Sequence, residues 1–161
     1  MDEQIVRIIP FEEKHWEDCV RIAIQAWTGI HESDANRLGQ DLHDDIMKDW
    51  QQPKLDEIGR KLRSGRGYVA VIDNSVVGFI SYVVVDNKIG VIGGNAVDAA
   101  YRGRGIANVM YNHVLDKMKQ DGAKIAKVST GLDDGHAGAR RAYEKVGFEK
   151  NLPKIEYYKY L

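Results

Sequence analysis

Cysteine occurs once in the 161 residues, at Cys19, which excludes an internal disulfide and suits a reducing compartment. Neither sign of charge prevails. With 23 basic residues against 24 acidic ones and a net charge of −1, the chain lacks the basic footprint of a dedicated nucleic-acid binder. No apolar run approaches membrane-spanning length, and Met1-Asp2-Glu3-Gln4 lacks the charged and apolar regions of a signal peptide. Internal repeats, linkers and low-complexity segments are missing as well. These absences leave a cytoplasmic protein with no nucleic-acid and no membrane partner. A single domain over residues 1–161 is expected, long enough to bury a real core. Cys19 itself falls on a core-facing helical stripe and reads as a packing residue.

What is present alternates between two periods. Gln4 to Ile9 reads as a short strand, and Pro10, Glu12 and Glu13 then open a helix whose apolar face is Trp16, Cys19, Val20, Ala23 and Trp27. Two short helices are expected between Thr28 and Gly65. One carries Leu38, Leu42, Ile46 and Trp50, the other Leu55, Ile58 and Leu62, with a joint at Gln51-Gln52-Pro53. Beyond Gly67 the period shortens. Tyr68 to Ile72, Val76 to Val85 and Ile89 to Val97 are rich in β-branched residues and separated by Asp73-Asn74-Ser75 and Asp86-Asn87, which predicts an antiparallel meander. Gly93-Gly94 inside its third strand marks either a bulge or a site where another backbone or a ligand comes close, or else a plain loss of strand stability.

Ile106, Val109, Met110, Val114 and Met118 then form a helical face ending near Asp121-Gly122. Lys124 to Ser129 is a strand, Ala137 to Lys145 a helix closed by Gly147, and Phe148 to Leu161 one or two strands interrupted at Asn151-Leu152-Pro153. The order β-α-α-β-β-β-α-β-α-β implies an α/β fold of the α+β kind, a mixed, mostly antiparallel sheet flanked by helices.

Between strand and helix lies Arg102-Gly103-Arg104-Gly105-Ile106-Ala107. Two glycines permit close backbone approach, the amides of a helix's first turn are unpaired, and two arginines add full charges. This is a phosphate cradle.

From Asn95 to Ala107 the sequence resembles the acetyl-CoA-binding signature of the GNAT superfamily of N-acetyltransferases, whose defined positions fall on Arg102, Gly105 and Ala107. Ala139-Arg140-Arg141-Ala142-Tyr143-Glu144-Lys145-Val146-Gly147-Phe148 resembles the second landmark of that family, an Ala, a Tyr four residues on and a closing Gly-Phe. The resemblance implies a single-domain fold with splayed central strands, here Ile89 to Val97 and Lys124 to Ser129. It also implies acetyl-CoA as co-substrate, no metal, and a small-molecule or peptide amine as acceptor.

The residues that the resemblance assigns to the co-substrate are Arg102, Gly103, Arg104, Gly105, Ile106, Ala107 and Asn108 at the pyrophosphate, the backbone of Val97 and Asp98 at the pantetheine arm, and His136. Many relatives carry Asn at the position of His136, and a neutral imidazole still donates one hydrogen bond and accepts one. Tyr143 takes the catalytic position, where it assists departure of the coenzyme A thiolate. A free tyrosine at pKa ~10 against ~8.5 for a thiol makes full proton transfer uphill by roughly 2 kcal/mol, so the help is hydrogen bonding or concerted donation. The plain structural reading of Tyr143 is an aromatic packed on the sheet with its hydroxyl in water.

No general base is assigned. Asp98, His31, Glu32 and His113 qualify by chemistry alone, and a water chain also serves. Between His31 and Glu57 acids outnumber bases, which suggests a cationic acceptor if this segment walls the acceptor site, or an ordinary solvated helix face if it does not. A noncatalytic acyl-CoA-binding or regulatory module of the same fold is the alternative reading. The alternating aromatic and charged residues from Lys154 to Leu161 suggest a strand with one exposed face, and homodimerisation through such strands is an analogy with relatives.

Overall fold

The computed structural model describes residues 5–161, so Gln4, the expected start of the first strand, and Met1-Asp2-Glu3 before it lie outside the described residues. Strand β1 (Arg7–Pro10) leads through a short turn into helix α1 (Trp16–Leu38), followed by α2 (Gln40–Met47) and α3 (Gln51–Lys61). β2 (Gly67–Ile72), β3 (Ser75–Val85), β4 (Ile89–Ile92) and β5 (Ala96–Val97) come next. α4 (Ile106–Gln120), β6 (Ile125–Lys127) and α5 (Ala137–Lys145) complete the order.

The sheet runs β1-β2-β3-β4-β6, and β5 also pairs with β3. All pairings are antiparallel except β4 with β6. Alternation along β2 feeds two cores. Tyr68, Ala70 and Ile72 pack under α4 and α5 with Met110, Val114, Met118 and Tyr143, while Val69 and Val71 join Cys19 and Ile22 of α1, Ile58 of α3 and Leu62 just after it. Burial of each such aliphatic side chain contributes about 1.5–3 kcal/mol, so this two-sided packing dominates the energetics.

The expected third strand is real but interrupted. Tyr82 pairs with Ile92 and Phe79 with Ala96, so two residues of β3 face three of the partner, Gly93-Gly94-Asn95. That is a β-bulge of one extra residue. It changes the face that follows: Ile92 packs into the α4 core, whereas Ala96, four residues on, packs into the α1 core.

Three expectations need correction. The first helix does not stop near Trp27 but runs to Leu38. The Thr28 hydroxyl bonds back to the Ile24 carbonyl at 2.7 Å, and the break comes only at Gly39, whose φ of 87° closes α1 and opens α2. On α4 the buried stripe includes Tyr111, while Val109 is 40% exposed. The final strands do not form. Residues 148–161 are neither helix nor strand, and Ile155 and Tyr157 stand exposed, so the alternation from Lys154 presents no face to the core. The segment reaches α2, where the Tyr160 hydroxyl donates to Asp45 at 2.7 Å.

Candidate active site

At the end of β5 the chain turns tightly before α4. The Asp98 carboxylate caps this turn by accepting the Ala100 amide hydrogen at 2.9 Å, and it meets the Arg21 guanidinium of α1 at 2.5 Å. Arg21 holds the Asp98 carboxyl below its ordinary range. Gly103 and Gly105 both sit at positive φ, 76° and 77°. Such angles favour glycine, and Gly105 at the N-cap has no side chain to cap the first turn. The amides of Ile106, Ala107 and Asn108 therefore end the helix without a side-chain partner from the cap residue, and these residues line a groove of about 1150 Å³.

The groove exists because two strands part. β4 and β6 pair from Ile89 with Ile125 to Val91 with Lys127, and then the bulge carries β5 toward β3. Val97 lies opposite Gly78, and the next amide, Asp98 N–H, bonds to the Val77 carbonyl at 2.9 Å. Val97 is thus a non-hydrogen-bonded position of the ladder, and its own N–H and C=O face away from β3. Arg102 Nε approaches that carbonyl at 3.4 Å. Ser129 and Thr130, beyond the end of β6, line the opposite side of the opening.

Asn95 of the bulge joins two tyrosines from different helices. Its Nδ2 donates to the Gly93 carbonyl and to the Tyr143 hydroxyl oxygen, both at 3.1 Å, and its Oδ1 accepts from the Tyr111 hydroxyl at 2.9 Å. The Gly93 carbonyl can only accept, which fixes the orientation of the Asn95 amide. Burial pushes the Tyr111 hydroxyl far above the ordinary tyrosine range, so it remains a donor. The rings of Tyr111 and Tyr143 lie 4.7 Å apart.

Val97, Arg102, Gly103, Gly105, Ile106, Ala107, Asn108, His136 and Tyr143 all line the groove. The other two residues of the expected set turn their side chains elsewhere. Asp98 is committed to Arg21 and the turn, and Arg104 lays its guanidinium 4.9 Å from the Tyr101 ring centroid while donating to the Ala100 carbonyl. The His136 ring is held from behind, with Nδ1 2.6 Å from Asp133 Oδ1.

The candidate bases do not gather here. His31 stacks on Trp50 and meets His43 at 3.2 Å, His113 packs edge-on against Tyr68, and Glu32 is exposed. Burial lowers the pKa of both His31 and His113. Among the acids between His31 and Glu57, only Glu57 lines the groove; Glu32, Asp41, Asp45, Asp49 and Asp56 face solvent. The acidic excess is mostly a solvated surface.

Several groove residues are not among the expected site residues, although Lys54 and Glu57 belong to the segment read as a possible acceptor wall. Trp27 of α1 and Lys54, Glu57 and Lys61 of α3 form the wall across from α4 and α5. Asn95 does carry a signal in the sequence, as a lone polar side chain in an apolar strand directly after a glycine pair.

The sequence matches the model of the Acetyltransferase (GNAT) family over residues 16–148. No curated protein sequence matches it. Similar folds include an aminoglycoside N-acetyltransferase, AAC(6')-Iy, in complex with CoA, at a TM-score of 0.65 and 19% identity over 97% of this chain and 95% of that one. Ard1 from Thermoplasma volcanium has a TM-score of 0.65 at 20% identity, covering 91% and 84%. An aminoglycoside acetyltransferase from an uncultured soil metagenomic sample, in complex with sisomicin, has a TM-score of 0.61 at 16% identity, covering 97% and 96%. At these identities the likeness is one of fold. The family match spans most of the chain and both motif regions, and on that ground the protein belongs to the acetyltransferase (GNAT) family and is an acyltransferase.

Proposed function

We propose that the protein moves the acetyl group of acetyl-CoA to a primary amine by direct attack within a ternary complex, with no covalent enzyme intermediate. The observation that carries this reading is that the uncapped start of α4 and Tyr143 of α5 line one groove where the strands part. The amides of Ile106, Ala107 and Asn108 suit the pyrophosphate, with Arg102 adding charge at the mouth. The outward N–H and C=O of Val97 suit the peptide-like pantetheine arm, which would pair there as an added strand does.

The amine nitrogen attacks the thioester carbonyl, the tetrahedral intermediate collapses, and the C–S bond breaks. Tyr143 then donates its phenolic hydrogen bond to the departing sulfur. Asn95 already donates to the tyrosine oxygen, so the phenolic proton is available for that partner. Cys19 takes no part: it is fully buried, and burial pushes its thiol up to about 12. The incoming amine releases its proton to water in the open groove. Several proteins of similar fold are aminoglycoside acetyltransferases, which supports a small-molecule amine as the acceptor class.

Coenzyme A thiol release, followed with a mixed panel of amines, tests the reading. Amine-dependent release is expected. Tight acetyl-CoA binding with no release from any amine would overturn it in favour of a noncatalytic binding module.

A further inference from the structure

We propose that the acceptor carries an anionic group near its reacting amine, read by Lys54 and Lys61; this rests on the acetyl-transfer reading above. Lys54, Glu57 and Lys61 stand three and four residues apart on α3, so they share one face of the helix, and that face lines the groove. The wall reaches the bulge itself. A Cβ built on Gly93 would lie 3.3 Å from Lys61 Cδ, and one on Gly94 would lie 3.3 Å from Ile58 and 3.8 Å from the Trp27 ring. These side chains therefore cover the point where the two strands part.

Glu57 is the one acid among the described residues that line the groove, and it is already engaged. Lys54 Nζ donates to Oε2 at 2.9 Å and Lys61 Nζ to Oε1 at 2.5 Å. The two ammonium groups hold its carboxyl down at about 2, so it stays ionised and serves poorly as a base or as a seat for a second cation. Two lysines against one carboxylate leave a positive charge in excess on this wall. Each ammonium has three donors and commits one of them to Glu57, which leaves donors for an acceptor oxygen. Lys54 and Lys61 are about a third exposed, with side-chain values of 29% and 37%, so their interaction with a ligand is only partly screened.

The same field disfavours an acceptor with additional ammonium groups, which would find no unengaged carboxylate here. A carboxylate and a phosphate share the chemistry these lysines read, and the two sources separate in the assay.

The test compares kcat/KM for three kinds of acceptor: an amino carboxylate and an aminoalkyl phosphate, the corresponding uncharged amide, and diamines or aminosugars. An advantage of about tenfold for at least one anionic acceptor over the amide is expected, the size of one charge-assisted contact. Comparison of the carboxylate with the phosphate identifies which oxyanion the wall prefers. In the double variant Lys54→Gln, Lys61→Gln that ratio should collapse toward one, mainly through KM. Preference for diamines or aminosugars, or an anion-to-amide ratio unchanged in the double variant, would overturn the proposal while leaving acetyl transfer intact. Absence of thiol release with every acceptor would instead defeat the transfer reading, and the proposal with it.

Discussion

Asn95 donates to the Tyr143 hydroxyl oxygen at 3.1 Å across 48 residues of sequence. Because the same Nδ2 also donates to the fixed Gly93 carbonyl, the bulge sets the direction in which the tyrosine oxygen is solvated. A hydroxyl that accepts from an amide is better able to donate its own proton, since the bond stabilises charge developing on oxygen.

Replacing Tyr143 by Phe should lower kcat about a hundredfold, the low end for general acid assistance, with coenzyme A affinity unchanged. Asn95→Ala should lower kcat less, again with coenzyme A affinity unchanged. Equal losses in kcat and coenzyme A affinity for either variant would point to a structural role instead. Steady-state kinetics and calorimetric titration measure both quantities.

Gly105→Ala places a Cβ at φ 77°, a left-handed conformation that costs an ordinary residue about 1–2 kcal/mol. Beyond its immediate chain neighbours nothing lies within 4 Å of that Cβ, so the cost is conformational and not a clash with the surroundings. A lower urea midpoint and weaker coenzyme A binding should appear together. Unchanged binding would remove the α4 start from the phosphate site.

Asp98 has a folded pKa below its ordinary value because of Arg21, and the sign of its pH effect follows. Its stabilisation is complete above the unfolded pKa of about 4 and shrinks as the pH falls through the lower folded value. Urea midpoints of the wild type should therefore fall as the pH drops below about 4, with a shallower fall in Asp98→Asn. Parallel curves would contradict this.

Cys19 should resist an aromatic disulfide reagent at pH 8 in the folded protein and react completely in urea, because its thiol is pushed to about 12 and has no exposed surface. Rapid labelling of the native chain would show that the α1 core opens readily.

Local pattern made much of the fold legible. Strands β2 and β3 follow from β-branched runs between good turn formers, and the α4 cradle follows from Gly103 and Gly105 placed between strand and helix. Gly93-Gly94 leaves both a bulge and a weakened strand open, and gives no sign of which side chain a bulge would aim. Tertiary relationships were not legible. Lys54 and Lys61 read as ordinary solvated charges until α3 is laid beside the bulge, and the acidic composition of residues 31–57 says nothing about which face carries it. The segment from Lys154 to Leu161 shows the opposite failure, since alternation alone supplies no partner strand.

The extra residue of the bulge also acts as a phase shift in a two-letter code. Ile92 and Ala96 would share a face in an unbroken strand, yet they enter opposite cores. Removing either glycine would leave two residues opposite two of β3, so Ala96 and Val97 would keep their cores by plain alternation while the bulge and the placement of Asn95 are lost; a one-residue deletion should therefore cost activity more than stability.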